Sequence, residues 1–194
     1  MARDRASRPE AKPLRLFVAF DVSEDTKAIV AEAIAPWREA YPKARWVPTE
    51  NWHVTIKFMG RTWPRLVEWV NDTLRVTAAT SAAFETRLIG LGSFPSPGRA
   101  RVLWAGLDDG DGRMAGLAAA IDAALAREFE PEARAFRAHL TVARSEPPIR
   151  LPEDFAASPV TGPPFPVDRL VLFRSHLQRP APRYEPLATF PLGG

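Results

Sequence analysis

Two short segments of this chain carry the same reactive pattern. His53-Val54-Thr55-Ile56 and His139-Leu140-Thr141-Val142 both read histidine, apolar residue, threonine, apolar residue, in a sequence with only three histidines. Along a strand successive side chains alternate faces, so His53 and Thr55 share one face while Val54, Ile56 and Phe58 take the other. His139 and Thr141 stand likewise against Leu140 and Val142. Imidazole titrates near neutrality, so of two histidines facing one cleft, one can take a proton while the other gives one. In-line displacement at phosphorus needs that pair: a base to activate the nucleophile and an acid to protonate the departing alkoxide. The threonine hydroxyls can donate hydrogen bonds to non-bridging phosphate oxygens and stabilise charge as it builds. Neither histidine has a carboxylate or thiol neighbour at ligand spacing, so no metal and no other cofactor is expected. The third histidine, His176 in "LFRSHLQR", has no threonine partner and reads as a surface or structural residue.

The elements that must hold these segments can be read from pattern. "LRLFVAFD" (14–21) predicts a buried strand. Ser23 is placed to cap a helix reaching roughly Arg38, with Glu24 and Asp25 in its first turn and Pro36 and Pro42 marking its end. "ARWVP" (44–48) is a short strand before the first histidine segment, and Pro64 opens a second helix. "AFETRLIGLGSF" (83–94) and "RARVLWAGL" (99–107) read as strands joined by "PSPG". "DDGDG" (108–112) lacks most of a calcium-loop pattern and reads as a solvated turn. A third helix follows over 114–130, then the second histidine segment. A Pro-rich surface stretch (147–166) and two closing strands, 167–177 and 184–192, complete the chain. Short connections between strands imply antiparallel pairing, hence an α+β fold rather than a doubly wound parallel sheet. The two histidine segments fall in corresponding places of the two halves. The expected architecture is two pseudo-symmetric lobes, each an antiparallel sheet with helices on its outer face, and a cleft between them.

Composition narrows the class. With 46% apolar and 25% charged residues the chain is globular in type, and the absence of cysteine removes disulfides and thiol catalysis. No uncharged apolar run approaches the roughly 18 residues of a membrane span, and the N-terminus lacks a signal-peptide core, so a cytoplasmic protein without a membrane partner is expected. Residues 1–13 read as a disordered basic tail ahead of one bilobal domain over 14–194, for which a monomer suffices. Only Lys12, Lys27, Lys43 and Lys57 among the 26 basic residues are lysines. Arginine suits bidentate phosphate contacts, and the net charge of +3 permits a nucleic-acid ligand without demanding one. No phosphate-cradling glycine loop of the Walker or dinucleotide type is present.

The paired segments resemble the signature of the 2H phosphoesterase superfamily. The longer strings are similar to its RNA 2′,3′-cyclic phosphodiesterase branch, also called 2′-5′ RNA ligases (LigT type). "RLFVAFD" resembles that branch's first strand, "ENWHVTIKFMG" its first motif, "RVLWAGL" its middle strand, "HLTVAR" its second motif and "RYEPL" its closing segment. Met59 and Arg61 depart from the leucine and the often acidic residue of the first motif. The resemblance runs from about Leu14 to Phe190. It implies His53 and His139 as the catalytic acid and base, and Thr55, Thr141 and Arg144 as phosphate-binding residues. Strict alternation would put Arg144 on the face opposite His139, so its role requires the strand to end or twist. Phe17 and Tyr184 become candidates for packing near the nucleotide, or for plain core and surface packing. The residues leave open which imidazole is the base; the resemblance implies His139 activating water and His53 protonating the ribose oxygen. The implied substrate is RNA ending in a 2′,3′-cyclic phosphate, opened to a 2′-phosphomonoester, with 2′-5′ ligation as the reverse. A non-catalytic RNA-end-binding module, or action on a small cyclic nucleotide, are the competing readings.

Overall fold

A computed structural model describes residues 12–193. The expected N-terminal tail, apart from Lys12 and Pro13, lies outside the described residues. Strand β1 (Leu14–Phe20) sends Leu16, Val18 and Phe20 into the core. Helix α1 (Glu24–Ala40) is capped by Ser23, whose hydroxyl accepts from the Thr26 N–H at 3.2 Å, as its sequence predicts. Pro36 lies inside this helix, which runs on to Ala40, so it does not mark the end. Next come β2 (Arg45–Trp46), β3 (Val54–Thr62) and α2 (Val67–Ala79), which buries Val70, Leu74 and Ala78 along one stripe.

The run over 83–94 forms two strands rather than one, β4 (Phe84–Thr86) and β5 (Leu88–Phe94), which join different sheets. Strand β6 (Ala100–Leu107) leads to α3 (Arg113–Leu125), which ends five residues short of the expected Glu130. Strand β7 (His139–Ile149) continues through Pro147 and Pro148. The Pro-rich stretch is therefore not mere surface cover. Its first residues are strand, and α4 (Glu153–Ala157) and β8 (Phe165–Val167) bury Phe155, Phe165 and Val167. Strands β9 (Arg169–His176) and β10 (Arg183–Pro191) close the chain.

The main sheet has the order β10-β9-β1-β3-β7-β6-β5, antiparallel throughout, with β2 also on β7; β4 and β8 form a separate pair. Among the described residues its two halves pair only where Val54 on β3 meets Leu140 on β7. Helices α2 and α3 pack on the β10-β9-β1-β3 half. The other half takes α4 against β5 and, across it, α1, whose Trp37 meets Phe155 edge-on at 5.1 Å. The fold is thus the expected α+β arrangement of two antiparallel halves with outer helices. Its connectivity crosses over, since α1 follows a strand of one half and covers the other. Val54 and Leu140 are fully buried, each contributing roughly 1.5–3 kcal/mol of apolar burial at the seam.

Candidate active site

The single pairing at the seam fixes the site. With Val54 opposite Leu140 in an antiparallel pair, one step either way sets His53 across from Thr141 and Thr55 across from His139. Val54 and Leu140 face the core, so both histidines and both threonines lie on the face turned away from the helices. The two imidazoles stand diagonally across the seam, which by ordinary sheet geometry separates their Cβ atoms by somewhat less than about 7–8 Å. Each ring is oriented in the same way. His53 Nδ1 donates to the Asn51 carbonyl at 2.8 Å, and His139 Nδ1 donates to the Arg137 carbonyl at 2.7 Å. A carbonyl can only accept, so Nε2 is the nitrogen left free on both rings. Asn51 is itself tied down by its side-chain N–H on the Pro182 carbonyl, 2.8 Å away.

Two β-bulges then decide which later residues join the site. On β3 the partners step from Ala19↔Thr55 to Val18↔Lys57, leaving Ile56 as the extra residue. On β7 they step from Trp104↔Thr141 to Leu103↔Ala143, leaving Val142 extra. A bulge resets alternation by one residue. Arg144, opposite Val102, therefore returns to the His139 face, which supplies the twist that strict alternation lacked. The same reset on β3 turns Phe58, opposite Phe17, onto the His53 face, where it is 50% exposed under the Arg15 guanidinium at 4.6 Å. The core position expected for Phe58 is thus overturned. Lys57 goes inward instead, ion-pairing with Asp122 of α3 and donating to the Glu130 carbonyl at 3.0 Å. That contact anchors the first motif strand to a helix, and no alternating pattern disclosed it.

Electrostatics and packing distinguish the two halves. Phe17 lies 4.8 Å from the His53 ring, with Phe173 stacked on Phe17 at 5.2 Å and Tyr184 edge-on to both Phe17 and His53. Phe17 and Tyr184 thus both pack against His53; Phe173 joins them only because β9 pairs with β1. Burial in this aromatic setting pushes the His53 pKa from 6.5 down to about 4. The Asn51 hydrogen bond opposes that fall, and the charges of Arg144 and His139 add to it. His139 is also lowered by burial, against its bond to Arg137 and with help from Arg144. Among the described residues no carboxylate pairs with Arg144. Burial raises the Tyr184 pKa, while Arg144 and Arg15 pull it the other way. His176 stands apart, hydrogen-bonded at 2.6 Å to Glu185 on the neighbouring strand, consistent with a structural residue.

The sequence and the fold both match those of known proteins. The model of the 2′-5′ RNA ligase superfamily matches residues 26–179, and the chain belongs to that family of 2H phosphoesterases. A Thermus thermophilus protein named RNA 2′,3′-cyclic phosphodiesterase is 34% identical, over 93% of this chain and 91% of its own length. One of the same name from Geobacillus stearothermophilus is 29% identical over 92% of this chain, which spans only 57% of that relative. The crystal structure of a Thermus thermophilus protein superposes with a TM-score of 0.78 at 29% identity, covering 93% of this chain and 99% of the other.

Proposed function

We propose that this protein opens terminal 2′,3′-cyclic phosphates on RNA to 2′-phosphomonoesters by two-histidine acid–base catalysis. The observation that carries the proposal is the seam itself: one residue pair brings both His/Thr segments and Arg144 to the same face. His139 Nε2 takes a proton from water as its oxygen bonds to phosphorus. The P–O3′ bond breaks, and His53 Nε2 gives its proton to O3′, leaving phosphate on O2′. Thr55 and Thr141 donate to the non-bridging oxygens, and Arg144 balances their charge. The acid must carry a proton that burial of His53 opposes, so the bound phosphate anion has to restore it. Protonation of His53 then accompanies substrate binding.

RNA is favoured over a small cyclic nucleotide by the surroundings. Arg15 and Arg61 pair across β1 and β3 beside exposed Phe58, and Arg45 pairs with Arg144. Basic side chains interleaved with exposed rings suit a single strand, whose bases stack while its phosphates are neutralised. No helix among the described residues is long and apolar enough to cross a membrane. We read the protein as a cytoplasmic enzyme able to act as a monomer.

The test is hydrolysis of a short RNA with a 2′,3′-cyclic phosphate end, in EDTA, by wild type, His53→Ala and His139→Ala. Each substitution is expected to cost about 10²–10⁴-fold in turnover with the fold retained, and the product to bear a 2′-phosphate. A folded wild type that binds this RNA without turning it over would leave the RNA-binding reading in place of catalysis.

A further inference from the structure

We propose that Trp104 is the stacking platform for a second nucleotide, the one whose 5′-hydroxyl attacks or leaves the phosphorus in 2′-5′ ligation and its reversal. This rests on the hydrolytic reading above and extends it to the other side of the phosphate. Trp104 lies directly opposite Thr141 on β6, its ring 6.4 Å from that of His139. It is half-buried yet stands outside the hydrophobic core cluster. The six-membered ring of the indole occupies the space over Gly92, its partner on β5, where an added Cβ would overlap it, and a Cβ on Gly106 would come within 3.0 Å of it. Phe94 backs it at 5.2 Å. Its N–H is buried with no partner among the described residues, a cost the fold bears to keep the ring there.

The site's near-symmetry makes this indole informative. By register its counterpart beside Thr55 is Ala19, so only the His139 side carries the shelf. In-line displacement puts nucleophile and leaving group on opposite sides of phosphorus, and His139 serves the nucleophile. When that nucleophile is an RNA 5′-hydroxyl, its nucleoside falls on the Trp104 side, and any base offers a π-face to stack. The O5′–P bond forms as the P–O3′ bond breaks. The 5′-hydroxyl proton passes to His139 Nε2, and His53 gives its proton to O3′. A 2′-5′ linkage and a free 3′-hydroxyl result, with no further reactant, and cleavage is the same path reversed.

The full chain is assayed on adenosine 2′,3′-cyclic phosphate, which has one nucleoside, and on 2′-5′-linked diadenosine monophosphate, which has two. Trp104→Ala is expected to lower kcat/KM for the dinucleotide at least about tenfold more than for the cyclic mononucleotide, chiefly through KM. Trp104→Phe should restore most of that bias, and Gly92→Ala, which evicts the ring, should reproduce it; these two decide the matter where Trp104→Ala does not fold. Equal losses on both substrates would mean that Trp104 merely props His139 and would overturn the proposal. So would a wild type that hydrolyses the cyclic mononucleotide but leaves the dinucleotide intact. A folded wild type inert on both substrates and also on the cyclic-phosphate RNA refutes the hydrolytic function, and this inference falls with it; one that opens the RNA but leaves the dinucleotide intact overturns this inference alone.

Discussion

Replacing His53 with glutamine should make the protein more resistant to acid. The His53 ring has a pKa of about 4 in the folded chain against 6.5 ordinarily, a gap worth roughly 3 kcal/mol in favour of the neutral ring. Because the folded value is the lower one, the unfolded chain binds the extra proton between these limits, so stability is lost as pH falls from 6.5 toward 4. Above pH 7 both states are neutral at this residue and the term vanishes. At pH 4.5 linkage puts the loss at about 2.5 kcal/mol, which His53→Gln does not suffer. The part of the His139 contribution that does not depend on the His53 charge is common to both proteins and drops out of the difference. Urea unfolding at pH 7.5 and 4.5 reads the effect as a difference of differences, and ¹⁵N-detected imidazole titration reads the midpoint directly. Parallel pH–stability curves for the two proteins, or a ring titrating near 6.5, would refute the reasoning. The same number bears on catalysis, since at pH 7 only about one free molecule in a thousand carries the His53 proton. Calorimetric binding of inorganic phosphate in buffers of different ionisation enthalpy should therefore show net proton uptake, lost in His53→Gln.

Three further outcomes are expected. Arg144→Gln removes a charge that lowers both histidines, so both imidazole titrations should move to higher pH, and KM for the cyclic-phosphate RNA should rise; unmoved titrations would show that Arg144 does not face the rings. Thr55→Ala and Thr141→Ala each delete a hydrogen bond to a charged group, for a loss of about 10–10²-fold in kcat, smaller than for either histidine and measured in the same assay. Lys57→Met leaves the Asp122 carboxylate without its partner. Because Asp122 keeps part of its surface in water, the expected destabilisation is about 2 kcal/mol by urea unfolding, below that of a fully buried pair; unchanged stability would mean that the ion pair does not anchor β3 to α3.

The sequence by itself set out the candidate reactive groups and most of the elements. Imidazole and hydroxyl two positions apart on apolar strands state a proton-transfer and phosphate-binding capacity, and the repeat of that pattern states that the halves share it. Ser23 capping α1 and the apolar stripe of α2 are local as well, since capping and helical periodicity act within a few residues. What lay beyond the sequence was long-range pairing. Alternation placed Phe58 in the core and left Arg144 on the wrong face, because a bulge is visible only in the register against a partner strand. Phe173 reaches His53 only through β9 lying on β1, and Lys57 finds Asp122 sixty-five residues away. Trp104 became a shelf only when β5 set Gly92 beneath its ring. Side-chain periodicity is a property of one strand. Which face that strand turns to the site depends on its neighbours, and the tertiary fold alone brings those together.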